Sequence, residues 1–191
     1  FLGAGGLLLC HTAVMGVQAF TNVTVPADVF APIGHLLALV GLVGLYPMAN
    51  DRTPTLARIG AVGASVIAVG WAAVTLSILA TTLGSRPPQI APLLGVFSIS
   101  VLVSTVLPYV LFGVVTLRSD IDSWSVGLLL LVPAAILILL LVNIAIQGGS
   151  PVDGMVFGAG LALTMLAIGY TLRTRKTQAD RTLMDDDITP G

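Results

Sequence analysis

Long apolar runs separated by short polar segments are the main pattern of this chain. Six runs are long enough to form a helix that crosses the hydrocarbon core of a bilayer, which takes about 20 residues for a thickness of about 30 Å. They cover residues 1–20, 28–48, 56–82, 89–117, 124–146 and 152–172. The runs are continuous rather than alternating, which favours α-helices over the strands of a membrane barrel. The sequence therefore predicts an all-α bundle of six transmembrane helices.

The segments between the runs are short and carry turn-forming residues. They read TNVTVPAD, ANDRTPT, GSRPPQ, RSDIDS and QGGSPVD. Gly, Pro, Asn, Asp and Ser each favour turns, so we expect consecutive helices to be antiparallel neighbours. We predict one transmembrane domain over residues 1–172, with no soluble domain. The polar segment 173–191 is expected to be a flexible cytoplasmic tail.

Composition supports a membrane protein. The chain is 56% hydrophobic and 9% charged, whereas soluble domains average about 25% charged residues. The net charge of -1 offers no electrostatic basis for binding nucleic acid. The expected partners are therefore the lipid bilayer and either other membrane subunits or further copies of this chain.

The distribution of basic residues predicts an orientation. Seven basic residues fall on one side of the predicted membrane and one, Arg86, falls on the other. By the positive-inside rule, both termini are expected to be cytoplasmic in a multi-pass protein of the cell membrane. Four aromatic residues are expected to lie at the membrane interfaces: Tyr46, Tyr109, Trp124 and Tyr170.

Small residues recur at helical spacing on two of the predicted helices. The sixth helix has Gly154, Gly158 and Ala162, and the third has Gly60 and Ala64. Such stripes allow two helix backbones to approach closely in lipid. We expect them to pack inside the bundle; the alternative is that the sixth helix uses its stripe to bind a partner or a second copy.

Hydroxyl side chains gather before Pro108 in the fourth predicted helix. They are Ser98, Ser100, Ser104 and Thr105. One interpretation is that these hydroxyls bond the carbonyl groups that the proline leaves without a donor. The other is that they line a polar cavity.

The two histidines, His11 and His35, both fall within predicted helices. Ionisable groups inside a membrane are candidate functional residues. Three interpretations remain open. The imidazoles could form hydrogen bonds between helices, they could be the axial ligands of a b-type haem, or they could border a site for a quinone, an ion or a small solute.

No catalytic or metal-ligating residue is assigned. No Asp, Glu, Lys or Arg lies well inside a predicted span, which argues against a proton-coupled carrier. The single cysteine excludes an internal disulfide and a Cys-rich metal site,. The chain also lacks a Gly-x-Ser-x-Gly elbow, a His-Glu-x-x-His motif and a Walker loop,. These absences argue against an enzyme.

Three functional hypotheses follow. The first is a non-enzymatic accessory or scaffold subunit of a larger membrane complex or homo-oligomer, because the chain has packing faces but no buried charge. The second is an electron-transfer protein that binds haem or quinone through His11 and His35. The third is a channel or facilitator for a small neutral solute, lined by the hydroxyl residues near Pro108.

Overall fold

The computed structural model describes residues 1–21, 23, 29–51, 53–84, 91–119 and 124–188. Over these ranges the chain forms seven α-helices and no strand. They are α1 (Leu2–Thr21), α2 (Phe30–Gly44), α3 (Tyr46–Asn50), α4 (Pro54–Thr82), α5 (Ala91–Ser119), α6 (Trp124–Gln147) and α7 (Pro151–Ile188). The prediction of an all-α bundle is confirmed.

Five of these helices, α1, α4, α5, α6 and α7, are long and apolar enough to cross a membrane. The helix α2 is equally apolar but has only 15 residues, or about 22 Å at 1.5 Å per residue. That is shorter than the hydrocarbon core. By length and composition the five long helices support a membrane-spanning architecture, and the sixth predicted span depends on how α2 continues.

The second predicted helix, 28–48, is interrupted in the structure. The helix α2 ends at Gly44, and α3 begins at Tyr46 with a proline, Pro47, in its first turn. Proline has no N–H to donate to the preceding turn, so it favours a new helix start. At the intervening Leu45, φ is -82° and ψ is -9°. The expectation of one unbroken helix was therefore wrong at this point.

The backbone of α7 continues as helix well beyond the predicted end of the last span. It reaches Ile188, although the apolar part ends near Arg175. The polar segment after residue 172 is thus a helical extension of the span. Its flexibility stays a prediction.

All helices except the short α3 form a closed ring in which sequence neighbours are also neighbours in space. The order around the ring is α1, α2, α4, α5, α6 and α7, and α7 closes it by packing on α1 along the most extensive interface. The short α3 packs mainly on α4. Large side chains from five of these helices fill the centre: Leu8, Leu39, Leu42, Phe112, Leu130, Leu137, Met165 and Ile168.

Close backbone approach defines the contact between α1 and α7. A Cβ atom added at Gly5 would lie 2.7 Å from Leu166 Cγ and 3.0 Å from the Ala162 carbonyl oxygen. Neither distance is compatible with an undisturbed side chain at position 5. Glycine is therefore required here because α7 occupies the space that a side chain would fill.

The turn between α6 and α7 depends on two glycines and a helix cap. Gly148 and Gly149 have φ values of 79° and 74°, a left-handed conformation that costs other residues about 1–2 kcal/mol. Ser150 then caps α7, because its Oγ accepts a hydrogen bond from the Asp153 backbone N–H at 3.2 Å and donates one to Asp153 Oδ2 at 2.7 Å. The turn thus reverses the chain tightly.

Replacement of Gly5 by Val should destabilise the bundle. Overpacking of this kind typically costs about 1–3 kcal/mol, so the Tm in detergent should fall for Gly5→Val. The control is Gly6→Val, because a Cβ at exposed Gly6 meets nothing within 4 Å. Equal Tm values for the two variants would contradict the described contact between α1 and α7.

Replacement of Gly148 by Ala should cost about 1–2 kcal/mol, because alanine must adopt a left-handed conformation there. Thermal unfolding in detergent measures the change. In the control, Gly95→Ala, the glycine lies inside α5 with nothing within 4 Å of the added Cβ. Alanine should be neutral or slightly stabilising at that position. A Gly148→Ala variant as stable as Gly95→Ala would show that the turn has another conformation.

Candidate functional site

His35 lies in the interior of the bundle and stacks on an aromatic ring. Its side chain is 6% exposed. The imidazole lies parallel to the Trp71 ring, with a centroid distance of 4.6 Å and an angle of 15° between the planes. The stacking connects α2 to α4, and one face of the imidazole is therefore covered.

A hydrogen bond extends this contact to a third helix. Trp71 Nε1 donates to Thr105 Oγ1 at 2.9 Å, and Thr105 Oγ1 donates in turn to the Val101 carbonyl at 2.7 Å. Thr75 Oγ1 donates to the Trp71 carbonyl at 2.8 Å. We call His35, Trp71, Thr75 and Thr105 the polar core. It links α2, α4 and α5 by polar and aromatic contacts.

His11 lies in a different environment, where α1 packs on α7. A Cβ added at Gly158 would lie 3.1 Å from His11 Cδ2 and 3.0 Å from Thr12 Oγ1. Thr12 Oγ1 donates to the Leu8 carbonyl at 2.8 Å. The His11 side chain is half-buried and lies beside α7, whereas His35 stacks against α4.

The two imidazoles lie on adjacent helices, α1 and α2, but they differ in depth. A Cβ at Gly34 would be 3.0 Å from Leu8 Cγ, and one at Gly41 would be 3.1 Å from the Phe1 ring. This antiparallel register places His11 at about the level of Ala31. His35 is therefore roughly 6 Å farther along the bundle, at 1.5 Å per residue.

The residues around the histidines do not fit a haem held by both of them. Bis-histidine ligation places one imidazole on each face of a flat porphyrin. Here α1 and α2 are in direct contact at Leu8 and Gly34, between the levels of the two histidines. The Trp71 ring also covers one face of His35. The arrangement is that of packed helices rather than of helices separated by a macrocycle.

The four hydroxyl residues near Pro108 lie on two different faces of α5. Ser98 and Thr105 are about two turns apart on one face of α5, and Thr105 is fully buried. Ser100 and Ser104 are on another face and are exposed. Each hydroxyl donates to the carbonyl four residues earlier: Leu94, Val96, Ser100 and Val101. The Ser104 carbonyl, which Pro108 cannot bond, is not among these acceptors.

The predicted small-residue stripes face neighbouring helices of the same chain. A Cβ on Gly154 would lie 3.0 Å from Met15 Sδ, and Ala162 is fully buried, so this stripe packs on α1. On α4, a Cβ at Gly60 would lie 3.2 Å from the Phe112 ring of α5. Ala64 is also fully buried.

One aromatic prediction was wrong. Tyr109 was expected at a membrane interface, but its side chain is 1% exposed, and its hydroxyl lies 3.9 Å from Met165 Sδ of α7. By contrast, Trp124 and Tyr170 are 57% and 68% exposed. Tyr46 is half-buried and donates to Asn50 Oδ1 at 2.9 Å.

Among the described residues, open grooves on the surface include the following two. One is lined by residues of α1, α6 and α7 and the turn between the last two helices, including Met15, Ile144 and Asp153. The other is lined by α4 and α5 and includes Arg58 and Leu107. Within the described part of the chain, no group of three or more His, Cys, Asp or Glu side chains could hold a metal ion.

No family model, curated protein or solved structure matches this chain. The polar core and the outer surface are therefore the basis for any functional argument.

Replacement of Thr105 by Val should destabilise the polar core. It leaves the buried Trp71 N–H without its acceptor, which costs about 1–3 kcal/mol in general and nearer 1 kcal/mol between membrane helices. The Tm in detergent and the near-ultraviolet circular dichroism of Trp71 should both change. Ser104→Val is the matched control, because Ser104 is exposed and bonds only its own helix. A Thr105→Val variant as stable as Ser104→Val would contradict the hydrogen bond.

Proposed function

We propose that this protein is a non-enzymatic accessory or scaffold subunit that acts by packing against another membrane helix. The observation that carries the proposal is an apolar seam on the outer face of α4. Five of its residues are between 52% and 70% exposed: Ile59, Val62, Val66, Val69 and Leu76.

The spacing of this α4 seam suits helix pairing. Its positions alternate in steps of three and four residues, with Ala73 at the remaining position. That is the seven-residue repeat by which helices interlock side chains at a small crossing angle. Many helix pairs in membranes use the same geometry. The β-branched valines have few rotamers and lose little freedom when they pack.

The interior supports a role in binding rather than in catalysis or transport. His35 is stacked on Trp71, and Thr105 accepts the Trp71 N–H while bonding its own helix. These contacts fix α2 and α5 to α4, so the seam is presented on a rigid support. The electron-transfer and facilitator hypotheses receive less support, because one face of the His35 imidazole is covered by Trp71 and α1 contacts α2 directly at Leu8 and Gly34.

We further propose six spans with both termini in the cytoplasm of a cell-membrane protein. Leu45 keeps a right-handed backbone conformation, which supports α2 and α3 acting together as one kinked span over 30–50. Four described arginines lie at the end of the bundle where α4 begins and α5 ends, which we call the basic end. They are Arg58, Arg118, Arg173 and Arg175.

Cross-linking from the α4 seam tests the proposal. In a Cys10→Ala background, Val69→Cys should form cross-linked species larger than the monomer in membranes of the native cells. The control is Leu163→Cys on α7, which should remain monomeric. Val69 and Leu163 are 70% and 62% exposed, and each lies near the middle of its candidate span, Pro54–Thr82 or Pro151–Arg175.

Equal cross-linking from the two positions would indicate random collision in the membrane rather than a defined interface. Purification in a mild detergent provides an independent measurement. A monodisperse monomer without any companion chain, combined with equal cross-linking, would contradict the scaffold proposal.

A further inference from the structure

The groove between α4 and α5 opens toward the space that lipid tails occupy around a membrane bundle. Its volume is about 420 Å³, and its lining consists of Arg58, Ile59, Val62, Gly63 and Leu107. Apart from the arginine, every lining residue is apolar. An apolar groove with one cation in its lining matches the chemistry of a phospholipid, which joins acyl chains to a charged headgroup.

Gly63 leaves this groove open, although no neighbouring atom of a described residue requires glycine at this position. A Cβ at Gly63 would meet nothing within 4 Å, whereas one at Gly60, one turn earlier, would lie 3.2 Å from the Phe112 ring. Glycine inside a helix costs about 0.5–1 kcal/mol relative to alanine. The contacts within the chain therefore explain Gly60 but not Gly63, and a larger residue at position 63 would fill the groove.

One arginine lines the basic end of the groove, and a second lies about one helical turn beyond it in the same register,. Arg58 is exposed in the second turn of α4, and Arg118 is exposed in the last turn of α5. Arg118 follows Leu107 by about three helical turns, so both project from the same face of α5. Neither arginine forms a hydrogen bond or ion pair with another described residue. Guanidinium groups bind phosphate through paired hydrogen bonds.

The positions of these residues along the bundle axis suit a lipid whose acyl chain runs parallel to the membrane normal. Contacts of Gly60 with Phe112 and of Gly70 with Val101 set the register of α4 against α5. In that register Leu107 lies about 10 Å deeper than Arg58, at 1.5 Å per residue. A phosphate at Arg58 would thus leave an acyl chain to run along the groove past Leu107.

The charge at the groove itself favours an anionic headgroup. Arg58 lines the groove, and Arg118 projects from the same face of α5 as Leu107. Over the whole of this end the sequence has seven basic residues and seven aspartates, so the preference for an anion depends on these two arginines. Each basic residue near a membrane surface attracts anionic lipid by about 1 kcal/mol.

We propose that the groove binds one anionic phospholipid, with its phosphate at Arg58 and Arg118 and one acyl chain against Ile59, Val62, Gly63 and Leu107. This inference does not depend on the scaffold role. The lipid covers Ile59 and Val62 of the α4 seam and leaves Val66, Val69 and Leu76 exposed for a partner helix.

Native mass spectrometry of the full chain in a mild detergent tests the site, with palmitoyl-oleoyl phosphatidylglycerol as the probe. The wild-type protein should retain one molecule of this lipid in preference to the corresponding phosphatidylcholine. Arg58→Gln should weaken retention about tenfold, since it removes a charge-assisted contact. Gly63→Leu should weaken it similarly by filling the groove. An excess of inorganic phosphate should not displace the lipid, because phosphate lacks the acyl chain.

Matched variants separate this site from general attraction to a basic surface. Arg173→Gln removes an exposed charge from the same end, and Gly6→Leu adds the same side chain at another open glycine. Both should retain the lipid within about twofold of wild type. Leu107→Trp is a second groove-filling variant if Gly63→Leu does not fold, and it should also reduce retention.

Several outcomes would overturn the proposal. Equal losses in Arg58→Gln and Arg173→Gln would show that charge alone attracts the lipid. Unchanged retention in both groove-filling variants would show that the groove is not the site. If Gly63→Leu instead abolished cross-linking from Val69 while lipid retention stayed normal, the groove would belong to a protein partner. If Val69→Cys did not cross-link in the otherwise unchanged protein, that result would count against the scaffold proposal but not against the lipid site.

Discussion

Helices surrounded by hydrocarbon gain little by hiding apolar side chains from one another, because lipid tails are as apolar as leucine. Their association must therefore come from close packing and from polar contacts between helices. In this bundle the close packing occurs where one helix has glycine and the next has a large side chain. Gly5 faces Leu166, Gly34 faces Leu8, and Gly113 faces Leu131. Contacts of this kind join α1 to α7, α1 to α2, and α5 to α6.

The hydrocarbon environment also constrains the polar residues. An unpaired polar group is costly in hydrocarbon, and most hydroxyls here bond a carbonyl of their own helix, as Ser98, Thr116 and Thr164 do. Such bonds satisfy the hydroxyl without joining two helices. Trp71 and Thr105 differ because their hydrogen bond crosses from α4 to α5. The polar core consequently contributes specificity to the arrangement of the helices.

Hydropathy alone was sufficient to predict an all-α bundle and the approximate positions of its long helices. It could not predict the interruption at Leu45, because the effect of Pro47 depends on whether the helix continues through or restarts. Helical spacing identified Gly154, Gly158 and Ala162 as one face, but spacing does not say which helix covers that face. The pairing of His35 with Trp71 was also missed, since nothing along the chain links two residues on separate helices.

The burial of Tyr109 was also not predictable from the sequence. Tyrosine is typical of membrane interfaces, yet this residue is buried beside Met165. The position of a residue in the sequence gives its depth in the membrane only if its helix is straight and not shifted along the membrane normal. The helix α5 contains Pro108 and has 29 residues, more than are needed to cross the bilayer, so this condition is not met,.

The packing of α7 on α1 has a consequence for the biogenesis of the protein. The residues that form the most extensive interface of the ring are separated by all the other helices. A ribosome therefore delivers α1 to the membrane well before the surface that covers Gly5 has been synthesised. Until then, this small-residue face is exposed to lipid or to an insertion chaperone. A chain truncated before α7 would keep that face exposed, and quality-control proteases could distinguish it from the finished product.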